Sequence, residues 1–380
     1  MAEGWSRATW AEIDLPAVRH NAAVLRRLAA PAALCAVVKA DGYGHGAAAV
    51  ARAALEGGAS MVAVALGDEG RELRRAGIEA PVLVLSEQPA GSARQVVADG
   101  LTPTLYTLDG VAAMAAAAEA AGAVVPVHVK VNTGMHRVGA DPEAVPALVA
   151  AVMASRWLAL DGLFTHLAVA DGTSEEDAAF TALQLRRFEA VVAALARQGV
   201  RPPLLHAANS AAAISWPGAR YDLVRCGIAL YGQPPAPALA RELRSVLSLR
   251  SRVSAVRVLD AGERPSYGRV RPLPRRSVVA TVPIGYADGV PRRLAADGCQ
   301  VLIGGRRRPI AGTVTMDQLL VDCGPDAEVS AGDEVVLIGS QGGETIGAWE
   351  WADATGTIAY EVVCGISGRV PRLYLDGPWP

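Results

Sequence analysis

Leu34-Cys-Ala-Val-Val-Lys-Ala-Asp-Gly-Tyr-Gly-His-Gly46 is a short apolar run that stops at a lysine and opens into a glycine-rich loop. A helix-like segment, Leu15 to Ala30, precedes it. Another, Gly46 to Glu56, follows and leads to the next apolar run, Met61–Ala65. The alternation continues through Pro81–Leu85, Leu101–Leu105, Val125–Val131, Leu160–Leu167, Leu204–Ala207 and Asp222–Arg225. Helical patterns such as Glu143–Ser155 and Glu175–Gln198 lie between them. Short β-branched apolar runs separated by helical periods are the pattern of βα units on a parallel sheet. Eight such runs in about 220 residues fit a (β/α)8 barrel, with an open doubly wound sheet as the competing arrangement.

The pattern changes near residue 235. Gln233-Pro-Pro-Ala-Pro237 reads as a linker, and strand-type runs follow at Val246–Leu259, Ser277–Ile284, Val301–Ile303, Gly312–Val321 and Glu334–Ile338, with a short helix near Gly356–Gly365. The expected fold is α/β: an N-terminal (β/α)8 barrel over 12–235 and a C-terminal mainly β domain over 236–380. The strand-like segment Ala8–Asp14 could join either domain, and residues 1–11 are expected to pack with the β domain.

Composition sets the broad class. Of 380 residues, 51% are hydrophobic and 19% charged, which excludes a chain too polar to offset its ordering entropy. Thirty-six basic and 38 acidic residues leave a net charge of −2, without the basic footprint of a nucleic-acid binder. No apolar run reaches the roughly 18–20 residues of a membrane span, and Met1 to Ile13 lacks the apolar core of a signal peptide. The five cysteines, Cys35, Cys226, Cys299, Cys323 and Cys364, are odd in number and widely spaced. Neither a disulfide framework nor a metal site is expected; each should be a small buried hydrophobe in a reducing cytoplasm.

The ends of the expected strands carry the chemistry. Barrel enzymes keep their active sites at the C-terminal ends of the strands. Lys39 ends the first run, and a desolvated lysine there can act as a free amine toward a carbonyl. Lys130 stands at the end of the fifth run with His136 and Arg137 in its loop, and His166 ends the sixth. Asn209 and Ser210 open a helix after the seventh, and Gly227, Ile228 and Tyr231 follow Arg225 after the eighth. Loops after strands seven and eight often hold a phosphate, and amides at helix starts favour anions. Each residue alone has a bland explanation as a solvated lysine, a helix cap or a satisfied histidine. Cations and imidazoles on several strand ends together are harder to dismiss.

These residues resemble the alanine racemases, fold-type III enzymes that use pyridoxal 5′-phosphate (PLP). The matching segments are Ala36 to Gly46, Lys130 to Gly139, Phe164-Thr-His166, His206 to Ser210, Val224 to Gly232, Pro265-Ser-Tyr-Gly-Arg269, Pro283 to Gly289, Ala311 to Gln318 and Tyr360 to Ser367, in the family's order over nearly the whole chain. The resemblance implies that Lys39 carries PLP and serves one face of the substrate, while Tyr267 serves the other, supported by His166 and Arg225. It implies cofactor contacts from Tyr43, His166, Asn209, Ser210, Arg225, Gly227, Ile228 and Tyr360, with Arg225 facing the pyridine nitrogen. Arg137, Tyr286, Met316 and Asp317 are implied for the substrate, and Lys130 for carbamylation. A cytoplasmic homodimer with shared active sites is implied, making D-alanine for peptidoglycan, with no nucleic-acid or membrane partner. Three departures stand out: Thr315 where a Cys often stands, Asn132 in place of Asp, and Asp41-Gly42 in place of Asn-Ala.

Overall fold

The computed structural model describes residues 7–235, 241–295 and 298–376. Of the expected linker 233–237, positions 236 and 237 lie outside the described residues. Contacts divide the chain into two units. One holds Ala17–Gly42 and Ala47–Arg244; the other holds the chain up to Pro16, Tyr43–Gly46 and the chain from Ser245 on.

The first unit is a parallel eight-stranded sheet with helices between its strands. Its strands are Ala33–Val37, Met61–Val64, Val82–Val84, Thr102–Leu105, Val125–Lys130, Leu158–Phe164, Leu204–His206 and Leu223–Cys226. The first seven pair in parallel with their sequence neighbours, and the eighth pairs with the first, as in Cys35 opposite Arg225. The remaining seam, between the seventh and eighth strands, is joined by backbone bonds from Asp222 N–H to Leu205 O and from Arg225 N–H to Ala208 O, both 3.0 Å. The barrel is thus nearly closed. Four strands are buried at every residue, because interior side chains cover one face and helices the other.

Local chemistry starts and stops these helices. Thr107 Oγ1 accepts the Gly110 N–H at 2.9 Å to open Leu108–Ala121, and Gly122 ends it at φ 62°. Ser174 and Asp177 form a reciprocal capping box ahead of Glu175–Arg197. That helix buries Gln184, Phe188, Val191 and Leu195, the three- and four-residue spacing of a core-facing stripe.

The second unit is a ten-stranded mixed sheet. Its path runs Ala255–Leu259, Ser277–Val282, Leu319–Gly324, Arg306–Ala311, Gln300–Ile303, Glu334–Gln341, Leu247–Arg252, Thr9–Asp14 and Arg372–Leu375, with Glu344–Ile346 pairing Glu334–Gln341. Thr9–Asp14 lies antiparallel to Leu247–Arg252 and parallel to Arg372–Leu375, so this strand crosses the expected boundary at residue 12. Arg250 bridges three strands by donating to Glu12 and Glu334, both at 2.7 Å.

Several expected elements are redrawn. Val246–Leu259 is two strands, one pairing with Thr9–Asp14 and the other with Ser277–Val282. Gly312–Val321 is a loop followed by a strand: Gly312 sits at φ 70°, where a Cβ would meet the Pro265 carbonyl oxygen at 2.3 Å. The strand Arg306–Ala311 was hidden by its three arginines. Arg307 is neutralised by Glu344 and Glu350 at 3.0 and 2.8 Å. The short helix is Ala359–Cys364, preceded by an unexpected one, Ala348–Thr355. Cys364 is exposed, unlike the other four cysteines, because it ends a helix.

Phe188 is fully buried. Phe188→Ala should therefore lower unfolding stability by about 3–5 kcal/mol in urea titrations, the usual cost of an aromatic-sized core deletion.

Candidate active site

The loop after the first barrel strand is a turn of left-handed helix. Lys39–Gly44 is helical, yet Ala40, Asp41, Gly42, Tyr43 and Gly44 all have φ between 51° and 78°. Three of these are not glycine, and each such residue costs about 1–2 kcal/mol in that conformation. Side chains hold the turn in place. Glu69 accepts the Ala40 N–H at 2.7 Å and the Ala65 and Leu66 N–H groups at 2.8 and 3.1 Å. Asp41 accepts the Ala47 N–H at 2.9 Å, at the start of helix Ala47–Glu56. Lys39 is thereby fixed at the end of its strand, half-buried. Lys39 and Lys130 are the only lysines in the chain.

Lys130 is buried at the end of the fifth strand, with Nζ 3.3 Å from the Leu85 carbonyl and 5.3 Å from the Phe164 ring centre. Burial, then the charges of Arg225, Arg137 and Lys39, lower its pKa to about 7. The same three cations, with Lys130 as a fourth, act on His166. Its pKa is held well below the ordinary value by burial first, then Arg225, Lys130, Arg137 and Lys39. A pocket lined by Lys130, Asn132, Met135, Arg137, Thr165 and His166 opens here. The structure therefore brings together five of the expected residues at one end of the barrel. Asn132 shapes the pocket's loop: Oδ1 accepts from Gly134 and His136, and Nδ2 donates to Asp141 at 3.2 Å. An aspartate at 132 would meet Asp141 as a like charge.

Arg225 is buried within the eighth strand and donates only to neutral acceptors: His206 Nδ1 at 2.7 Å, Thr165 O at 2.8 Å, Ala207 O at 3.0 Å and His166 Nδ1 at 3.4 Å. Burial pulls its pKa down to about 10, which leaves it charged at neutral pH. The adjacent Cys35 and Cys226 thiols are pushed up to about 12 by burial, so neither is a nucleophile. Asn209 caps helix Ser210–Ser215, its Oδ1 accepting from Ala212 at 3.0 Å. Ser210 Oγ accepts the N–H groups of Gly227 and Ala229 at 3.0 and 3.3 Å. Its hydroxyl proton is left to point elsewhere, and the Gly227 amide is directed at the serine. Sequence reading assigned no role to His206 or His128, and it missed Asp161 altogether. The period of two that puts His128 on the face of Lys130 was the available signal.

In the second unit, the Tyr43 and Tyr360 rings lie 6.3 Å apart. The segments carrying Tyr286 and Met316 run side by side: Tyr286 N–H donates to Thr315 O at 2.9 Å, and Ala287 N–H to Met316 O at 3.1 Å. Thr315 closes the Met316–Asp317 loop by donating to Gln318 O at 2.8 Å, a bond that a Cys there would make weakly. Tyr267 is tied in through Thr313, which donates to its carbonyl at 3.1 Å. Tyr267, Met316 and Tyr286 are 74%, 52% and 43% exposed.

Nearly the whole chain is similar to known proteins. Residues 13–235 match the alanine racemase N-terminal domain and 246–374 the alanine racemase C-terminal domain. The chain belongs to the alanine racemase family. The alanine racemase of Symbiobacterium thermophilum is 49% identical over 370 residues, covering 97% of each chain. The solved alanine racemase of Streptomyces lavendulae superposes with a TM-score of 0.92 at 39% identity, over 98% of each chain. That of Bacillus anthracis, solved with bound L-Ala-P, gives 0.90 at 35%, over 98% of this chain and 96% of that one. The protein is an enzyme of this isomerase family, its barrel falling in the first matched domain and most of its mixed sheet in the second.

With only two lysines, the charge state of Lys130 is directly readable. In ligand-free protein labelled with 13C at lysine Cε, one of two resonances should titrate near pH 7 and vanish in Lys130→Arg. A midpoint near the ordinary 10.5 would show that the cation cluster does not act on it.

Proposed function

We propose that the protein interconverts L-alanine and D-alanine with PLP as its cofactor, by a two-base mechanism, in the cytoplasm, and that it supplies D-alanine for peptidoglycan. The observation that carries this reading is the meeting of Lys39 with Lys130, Arg137, His166 and Arg225 at one end of the barrel. After burial, only cations depress the proton affinity of Lys130, so this donor set fits an anionic ligand such as a phosphate ester bearing a phenolate.

Ser210, with its hydroxyl proton directed away from the Gly227 and Ala229 amides, would donate to the phosphate, joined by Ile228, Tyr43 and Tyr360 as the resemblance assigns, while Gly227 contributes by orienting Ser210 through its amide. Asn209 supports this cup as the helix cap. Arg225, a donor without a lone pair, would face the pyridine nitrogen and keep it unprotonated. When bound, the cofactor supplies an electron sink for the charge left at Cα. Lys39 then takes or returns the Cα proton on one face, and Tyr267 does so on the other. Arg137 holds the substrate carboxylate.

Tyr267, Tyr286 and Met316 are large, exposed side chains on the β unit, a patch of the kind that marks an interface. They and Asp317 are assigned to the barrel of a second copy, which a two-fold dimer would complete twice. Lys130, with a pKa near 7, has the neutral amine needed to add CO2 with loss of a proton. The resulting carbamate would pair with Arg137.

Borohydride reduction of the PLP-loaded protein should fix the label on Lys39, and Lys39→Ala should lose the visible absorbance; a persistent band would sink the assignment. Incubation of either alanine enantiomer in D2O should give the other with deuterium at Cα and no CO2. Tyr267→Phe should slow removal of the α-proton from one enantiomer far more than from the other. A charge at Met316 (Met316→Glu) that leaves a monomer by sedimentation should abolish racemisation with PLP still bound.

A further inference from the structure

Behind Arg225 stands a row of side chains that the proposed proton transfers do not use. His206 Nδ1 lies 2.7 Å from Arg225, His206 Nε2 lies 2.8 Å from His128 Nδ1, and His128 Nε2 lies 3.2 Å from Asp161 Oδ2. Both imidazoles are fully buried, and the Asp161 side chain is 36% exposed. The direction of every bond follows from one end. A guanidinium has donors only, so His206 Nδ1 must accept. The His206 proton then sits on Nε2 and is donated to His128 Nδ1. The His128 proton is in turn left on Nε2, facing the Asp161 carboxylate. A second proton on either ring would set two N–H groups against each other at one of these contacts.

The local sequence builds the row. His128 stands two residues before Lys130 on one strand, and the pairing with the next strand slips between Val127 and His128, which puts His128 opposite Gly162. A Cβ at Gly162 would lie 2.5 Å from His128 Nδ1, so only glycine leaves room for the ring. Phe164 stacks on His206, with centroids 4.6 Å apart and planes within 6°. The bond from His128 holds the Asp161 carboxyl below the usual range, as expected for a terminal acceptor.

We propose that His128 and Asp161 are positioning residues for Arg225. Acting through His206, they fix the tautomer that presents a lone pair, not a proton, to the guanidinium. The cation is thereby kept at the end of the barrel. The inference rests on the function proposed above only for what Arg225 faces; the tautomers belong to the protein alone.

The first test is 15N NMR of histidine-labelled protein at neutral pH, with and without PLP. The chain has six histidines, and single substitutions assign them. His128 and His206 should both be neutral with the proton on Nε2. A proton on His206 Nδ1, or an imidazolium at either ring, overturns the proposal. Asp161→Lys, which replaces the acceptor by a donor, should disturb both tautomers; unchanged spectra would remove Asp161 from the row. His128→Phe, which takes away the acceptor for His206, should lower kcat about tenfold, the lower end for lost outer-shell partners, with KM for alanine little changed and the visible band of bound PLP shifted. His128→Asn, whose side-chain oxygen can accept the same proton, should restore most of the loss; equal loss in both variants overturns the proposal. A wild-type protein that binds no PLP would defeat the proposed function, while the spectra of the unloaded protein would still decide the row.

Discussion

A guanidinium buried among neutral acceptors is the constraint on which the barrel end depends. An isolated cation in a dry interior is costly unless its donors are satisfied. Arg225 is satisfied by two imidazole nitrogens and two carbonyls drawn from the ends of the sixth and seventh strands and the residues that follow them. Its own strand closes the seam through the bond from Arg225 N–H to Ala208 O. Barrel closure and the placement of a fixed positive charge are therefore one feature. With no carboxylate among its hydrogen-bond partners, that charge is felt by its neighbours: burial first, and the Arg225 charge next, lower the proton affinities of Lys130, His166 and His206.

The second determinant is the turn that carries Lys39. A left-handed run of Ala40, Asp41 and Tyr43 persists only where its surroundings over-determine it. The carboxylates of Glu69 and Asp41 do so by collecting four backbone N–H groups. The stretch Tyr43–Gly46 is pinned further: Gly44 O accepts from Arg372 at 2.9 Å, and a Cβ at Gly44 would meet the Val363 carbonyl oxygen at 2.8 Å. A lysine on such a turn is held in position before any ligand arrives, which reduces the ordering cost of binding.

The barrel was legible because its strands are apolar on both faces and its helices carry their own start and stop signals. Leu15–Ala29 and Glu175–Arg197 end within a residue of their expected limits. Lys39, Lys130, Arg137, His166 and Arg225 were legible as polar groups at the ends of those strands. The β unit was read less well. Arg306–Ala311 is a strand stabilised by pairing and by glutamates distant in sequence, so its arginines masked it. The loop carrying Met316 reads as strand because its threonines and valine suit one, whereas the Gly312 turn depends on the remote Pro265 carbonyl.

The sequence by itself determined the order of elements, the split between a parallel α/β portion and a β portion, and the residue types able to do chemistry, because hydrophobic period and turn residues act locally. It also carried the family, through motifs spread along the chain. Only the tertiary structure decided which of those residues share a field. The pKa of Lys130 depends on burial and on Arg225, and the hydrogen bond of His206 on His128, whose space depends on Gly162. These are through-space effects between strands 30 to 100 residues apart in the chain, and electrostatics at a few ångströms in a dry interior leaves no trace in local sequence pattern.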